Sequence, residues 1–408
     1  MPDAHAIIIG AGQCGLAMSR ELTSRAIDHI VLDRGKVGQS WRSERWDSLR
    51  MLTPNWANLL PGMTHSEPDG YMTSGNFVAQ LEAFAAVSKA EVRTNTRVER
   101  IAQRGGLFEV HCDTGVLIAR SVVLATGAAS RPIVPKFAHL MPDEIVQITP
   151  DKYRAPSDLP KGEVLVVGAS ATGVQLAHEL RLAGRDVTLA VGNHVRLPRR
   201  YRGRDIEHWL HATGVLDQTT DELHDLGRAL KLISPQLMGG RDDVDLNALQ
   251  ALGIKVVGRL AAARDGTALF SGGLAHLATA ADLKMHRFLD LTDAWIEENG
   301  VIAPPPDRPA PTALPADPAL SRSLEDGTIR SVIWATEFAP DFSILDMPVF
   351  DRRGRLVHNG GVCAMPGLYV LGLPFLRRRR SHHISGAAAD ARDLADHLAS
   401  QIKGRAAA

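Results

Sequence analysis

Gly10, Gly12 and Gly15 stand in a turn, Gly10-Ala-Gly12-Gln-Cys-Gly15, that follows the apolar run from Ala6 to Ile9. Glycine at the first position permits the tight turn, at the second it lets the backbone approach a pyrophosphate, and at the third it lets a helix pack closely on its strand. A helical pattern then runs through Leu22, and its first free N–H groups would face an anion. The next apolar run, Ile30 to Leu32, ends on Asp33, an acid placed to accept from a ribose 2′-hydroxyl. Gln13 and Arg34 belong to the same two turns. The spacing predicts a dinucleotide site. It does not by itself separate FAD from NAD, although the N-terminal position favours FAD.

The same order returns later in the chain. An apolar run from Val164 to Val167 leads into Gly168-Ala-Ser170-Ala-Thr172-Gly173, a helical stretch through Leu182 and a second strand from Val187 to Val191. Ser170 replaces the middle glycine and supplies a hydroxyl donor for phosphate. No acid ends the second strand. Instead Arg196, Arg199 and Arg200 follow, with Arg202 and Arg204 beyond, where the 2′-phosphate of NADP would need cationic donors. A solvated basic loop is the plainer alternative, and with the missing acid the balance tips to NADPH over NADH.

These turns need elements to hold them. Asn76 to Ser88, Asp205 to Thr213, Asp221 to Ile233 and Ala280 to Asn299 read as helices, as does Gly386 to Leu398 with its small alanine face. Phe108 to Cys112 and Val116 to Ile118 read as a hairpin. Ser121 to Leu124 reads as a strand of the first sheet, ending on Ala125-Thr126-Gly127 at a carboxyl edge, where open α/β sheets place ligands. Short strands are predicted at Lys255 to Leu260 and Thr267 to Phe270, and further strands at Ile329 to Trp334, followed by Ala335-Thr336-Glu337, and at Leu368 to Leu371. Seven prolines between Ala303 and Pro318 exclude a helix interior or central strand there. The expected fold class is α/β, with two Rossmann-like dinucleotide-binding domains, the second inserted into the first. Residues 1–155 and 325–408 would form the first, 160–300 the second, and 303–318 a proline-rich loop or connector.

Composition narrows the partners. Basic and acidic residues balance at 46 each, so no global charge draws the chain to nucleic acid. Arg377 to Arg380 form one short run without aromatic interleaving, better read as a solvated or cofactor-facing loop. Three scattered cysteines, Cys14, Cys112 and Cys363, fit no disulfide framework and contain no CxxC pair. No His, Cys or acid cluster has metal spacing, so no metal is expected. The absence of a signal-like or membrane-length apolar run gives a cytoplasmic address and no membrane partner as the default. A homodimer stays open. His382 and His383 precede the last helix, whose free N–H groups could stabilise an anionic flavin or reduced-oxygen species. Either histidine could equally be a surface or supporting residue.

Taken together, the chain resembles the group B flavin-dependent monooxygenases, the class holding the flavin-containing and Baeyer-Villiger enzymes. The resemblance is carried by GAGQCG at 10–15, VGQSWRSERWDSLRMLTPNWANLLPG at 37–62, LATG at 124–127, VVGASATG at 166–173, IWATEFAPDFSIL at 333–345 and GLYVLGLPFLRRRRSHH at 367–383. It implies that the stretch from Gly38 to Trp41 lines the flavin. Thr126, Gly127 and Thr336 would lie at crossings between the two nucleotide domains, and Arg42 and Asn55 would join His382 and His383 at the reaction pocket. The implied activity is an FAD- and NADPH-dependent monooxygenase that passes O2 through a C4a-(hydro)peroxyflavin to a small organic substrate. The alternatives are an NAD(P)H-dependent flavoprotein reductase without oxygenation and a catalytically decayed nucleotide-binding regulatory protein. Three features depart from the family pattern: Thr149 replaces a histidine ahead of Tyr153, Glu337 replaces a glycine, and no Baeyer-Villiger arginine is assigned by a motif.

Overall fold

A computed structural model describes residues 2–223, 225–230 and 234–407. The chain opens with β1 (Ala4–Ile9), α1 (Gln13–Ser24) and β2 (His29–Leu32), followed by α2 (Gln39–Ser43), α3 (Ser74–Val87), β3 (Val92–Arg93) and β4 (Gly115–Leu124). The isoleucines of β1 are buried on both sides, the pattern of a central parallel strand covered by helices. β1 pairs in parallel with β2 on one side and β4 on the other, at Ile9↔Leu32 and Ile9↔Leu124. β4 is one ten-residue strand where the sequence suggested two pieces. Its first half pairs with the antiparallel hairpin formed by Val98–Arg104 and Leu107–Cys112, and its second half pairs with β1.

A second parallel sheet follows, built from β5 (Val146–Ile148), β6 (Glu163–Val167), β7 (Val187–Ala190), β8 (Lys255–Val257) and β9 (Ile329–Trp334), in the order β8-β7-β6-β9-β5. Helix α4 (Ala171–Leu182) links β6 to β7, and the 25-residue α5 (Leu274–Glu298) precedes β9. The chain then returns to the first sheet as β10 (Leu368–Val370), parallel to β4, and ends in α6 (Ile384–Ala407). All strands of the second sheet thus lie between β4 and β10 in sequence, in a Rossmann-type α/β arrangement. Each sheet centres its own apolar core, one around Ile7, Ile8, Val122 and Leu394, the other around Val164, Val166, Leu176 and Leu189.

Two strands from outside the expected 160–300 segment join the second sheet. Val146–Ile148 and Ile329–Trp334 hydrogen-bond into the second sheet, where β9 lies in parallel beside β6 and β5 in parallel beside β9. Lys255 to Leu260 is not one strand: it stops at Val257, and Leu260–Arg264 pairs elsewhere with Thr267–Phe270. Of the helix expected from Asp221 to Ile233, the structure forms a single turn at Thr220–Glu222 and a short helix at Leu226–Ala229. Residues 224 and 231–233 lie outside the described residues. The proline-rich stretch is an irregular strap fastened by its carbonyls and N–H groups: Ala310 O accepts from Arg196, Pro311 O from Asn247 and Ala313 O from Gln250, while Thr312 donates to Asp282.

Candidate functional site

The first glycine turn lies at the carboxyl edge of β1. Gly10 has φ 110°, and a Cβ there would stand 2.5 Å from the Ala125 carbonyl oxygen, so the turn and the strand crossing touch backbone to backbone. A Cβ on Gly15 would meet the Gly10 oxygen at 1.9 Å, which fixes the third glycine. Gly12 differs. No atom lies within 4 Å of its Cβ position, and it caps α1 without a side-chain bond. The first-turn N–H groups therefore border open space, as a pyrophosphate cradle requires. The Thr126 hydroxyl on the adjoining turn is buried and has no hydrogen-bond partner among the described residues. Asp33 accepts from Ala11 N at 2.8 Å and Gly35 N at 2.9 Å, fixing the turn against the end of β2.

A second segment docks beneath this turn. Gly38 is left-handed (φ 69°) and donates to Ala11 O at 3.0 Å, while Leu81 would stand 3.0 Å from a Cβ there. Trp41 then reaches Gln13, Nε1 to Oε1 at 3.4 Å, with its ring edge-on to Phe77 and the Arg45 guanidinium 4.9 Å above it. Arg34 pairs with Glu44 and joins Lys36, Asn95 and Arg97 around a cavity of about 390 Å³ off the end of β2. Gly38, Trp41, Gln13 and Arg34 are thus brought to one edge. Arg42 is held by Glu82 at 2.5 Å and by the Val37 carbonyl. Asn55, 2% exposed, accepts from Met72 N and donates to Glu67 O, clamping the 65–72 loop.

The second turn repeats the first nearly atom for atom. Gly168 has φ 113° with the Ala335 oxygen 2.1 Å from its Cβ position, and a Cβ on Gly173 would meet Gly168 O at 1.8 Å. Ser170 caps α4 without using its hydroxyl on the helix, and Thr172 lies half-buried in the first turn. Thr336, on the matching crossing, donates its hydroxyl to Ile133 O, and Glu337 is exposed in a short ladder with Ile133. Thr149 uses its carbonyl to close a turn onto Lys152 and Tyr153, a role its side chain does not decide.

The arginines are placed otherwise than their spacing suggested. Arg196 is 3% exposed and its guanidinium is held by Asp245, Asp282 and Ala310 O. Arg199, 1% exposed, is held by Asp205 and the Leu52 and Met238 carbonyls. These two knit the fold and leave no fork for a ligand phosphate. Arg200 is exposed and bonded only to the nearby Gly203 O among the described residues. Of their acid partners only Asp205, 6 residues after Arg199, is near in sequence, whereas Asp245 and Asp282 come from distant elements. Arg377 to Arg380 form a clip: Arg378 pairs with Asp390 and Asp393 of α6, Arg380 with Asp217, and Arg379 with Val215 O and Gln218. None of them pairs with Glu337.

The clip delivers His382 and His383 to the start of α6, their rings 4.5 Å apart. His382 is exposed and His383 half-buried. Desolvation by the neighbouring protein lowers the His382 ring to about 4. Burial, reinforced by His382, His211, Arg380 and Arg379, lowers His383 to about 3. Both imidazoles are neutral near pH 7, able to donate or accept a hydrogen bond. His211, which pairs with Glu207 and stands edge-on to Trp56, is a neighbour the sequence did not flag. The unfolded ring titrates near 6.5 while folded His383 stays neutral to about 3, so stability is full above that upper value and declines as pH falls between them. The loss is at most about 1.4 kcal/mol per pH unit. We expect His383→Asn to flatten this acid limb in urea unfolding at stepped pH; an unchanged slope would contradict the neutral-ring assignment.

Residues 7–213 match the family model described as pyridine nucleotide-disulphide oxidoreductase, half of the chain and both glycine turns. The chain belongs to this family. A Geobacillus kaustophilus protein named uncharacterized oxidoreductase CzcO-like is 30% identical over 396 residues, covering 96% of this chain and 97% of that one. Among solved structures, a variant of the flavin monooxygenase from Stenotrophomonas maltophilia superposes with TM-score 0.70 at 18% identity, covering 98% of this chain and all of that one. OTEMO, solved in complex with FAD and NADP, superposes at 0.58 with 16% identity, covering 100% and 87%. This family member is therefore an oxidoreductase, and it shares the flavin-monooxygenase fold that its motifs resemble. Among the described residues, no helix is long and apolar enough to cross a membrane.

Proposed function

We propose that the chain holds FAD at its first glycine turn and NADPH at its second, and oxygenates a small organic substrate with O2. The observation that carries this reading is the duplicated turn: two carboxyl-edge loops with the same backbone contacts, the first with open space at Gly12 and the second with a hydroxyl at Ser170 that does not cap its own helix. Bound FAD would supply hydride acceptance and O2 activation, chemistry that side chains lack. The α1 and α4 N-termini hold pyrophosphate, the Gly38–Trp41 segment supports the flavin side, and the clip sets neutral His382 and His383 at the start of α6 as adjustable donors.

The thiols favour oxygenation over disulfide reduction. Burial raises Cys14 and Cys363 to about 12 and also raises Cys112, so none is a ready thiolate. Incubation of the FAD-loaded protein with NADPH and ¹⁸O2 over a panel of sulfides, amines and ketones should place ¹⁸O in one product class. NADPH oxidation that yields only hydrogen peroxide across the panel would contradict oxygenation and leave the reductase reading.

A further inference from the structure

With Arg196 and Arg199 held inside the fold, the second site needs another source of charge if it is to select a 2′-phosphate. The two units can be matched residue by residue at the strand edge. Gly10 N donates to Leu32 O in the first and Gly168 N to Ala190 O in the second. Asp33 N donates to Arg93 O, and Val191 N to Val257 O. Val191, fully buried, thus occupies the place of Asp33, and Gly192 the place of Arg34. Among the described residues, the strand-end position that holds a carboxylate in the first unit holds the Val191 side chain in the second.

Over Gly192 lies a guanidinium from the next strand. A Cβ built on Gly192 would stand 3.5 Å from Nε and 3.9 Å from Nη2 of Arg259. The Arg259 backbone is pinned, because Gly258 abuts the Ser271 carbonyl and Ser271 N donates to Arg259 O at 2.8 Å. Its side chain is exposed, and no ion pair or hydrogen bond from it is found among the described residues. A cation anchored at its base, free at its fork and resting on a glycine beside an absent acid is suited to a phosphate dianion.

We propose that Arg259, reaching across from the end of β8, is the residue that reads the 2′-phosphate of NADPH. This rests on the second turn being the nicotinamide-cofactor site. The test is calorimetric titration of the FAD-loaded protein with 2′,5′-ADP and with 5′-AMP, which differ only in that phosphate. The parent should bind 2′,5′-ADP about ten- to a hundredfold tighter, the range of a charge-assisted bond. Arg259→Ala should bring the two affinities together while leaving that for 5′-AMP unchanged, and Arg200→Ala should leave the preference intact. A preference that survives Arg259→Ala, or disappears in Arg200→Ala, overturns the assignment and leaves the cofactor reading standing. Equal binding of both nucleotides by the parent overturns the assignment as well. Failure of the parent to bind either one overturns the site reading and the assignment together.

Discussion

Arg196→Ala is expected to lower the unfolding free energy by about 3–5 kcal/mol, the usual cost of removing one partner from a buried ion pair. Arg196 lies between Asp245 and Asp282, whose side chains are only 13% and 14% exposed, and both would be left without their cation. Asp282 shows what the arginine does. Burial pushes its carboxyl up, yet hydrogen bonds from Thr312 and from Arg196 outweigh that and hold it below the usual carboxylate range. The same loss would loosen the strap, since Ala310 O and Thr312 are tied to the same cluster. Arg200→Ala, at an exposed position, should stay within about 0.5 kcal/mol of the parent. Urea unfolding of both variants measures the contrast. A stable Arg196→Ala whose only defect is a raised KM for NADPH would return Arg196 to the cofactor.

Gly12→Val should abolish stable FAD binding while the protein stays folded. The backbone at Gly12 is extended, φ −88°, so valine is sterically allowed, and nothing in the protein lies within 4 Å of its Cβ. The branched side chain would instead fill the space that the pyrophosphate needs, next to the N–H groups it would bond. Gly15→Val separates the two roles of glycine in this turn. Its Cβ would overlap the Gly10 oxygen at 1.9 Å, so that variant should lose the fold along with the flavin. Far-ultraviolet circular dichroism and flavin content, read on both variants, distinguish an emptied site from a collapsed one. Full flavin occupancy in Gly12→Val would move the cofactor elsewhere.

Much of the scaffold was legible because local pattern and tertiary role agree in it. The buried runs Ile7–Ile9 and Val164–Val167, each followed by glycines at fixed offsets, leave few alternatives to a parallel strand, a tight turn and a helix. The edges of the second sheet were harder to see. Val146–Ile148 is short, and its pairing partner Ile329–Trp334 is far away in sequence, so only the register shows that both leave the first sheet. The site was legible where backbone geometry dictates the residue, as at Gly10, Gly15, Gly38, Gly168 and Gly173, where a side chain would strike backbone or packed apolar groups. It was least legible for charged side chains. An arginine after a Rossmann strand looks the same in sequence whether it faces phosphate or a buried carboxylate, and the partners that decide, Asp245 and Asp282, arrive from distant elements. Arg259 escaped notice for the converse reason, since nothing near it in sequence suggests that it comes to rest over Gly192.

The central claim is that the first glycine turn holds FAD, and the visible spectrum of the purified protein tests it most directly. The protein, after addition of FAD and removal of the excess, should carry the two absorption bands of oxidised flavin at one flavin per chain, and anaerobic NADPH should bleach them. A folded protein that stays colourless after reconstitution would contradict the claim.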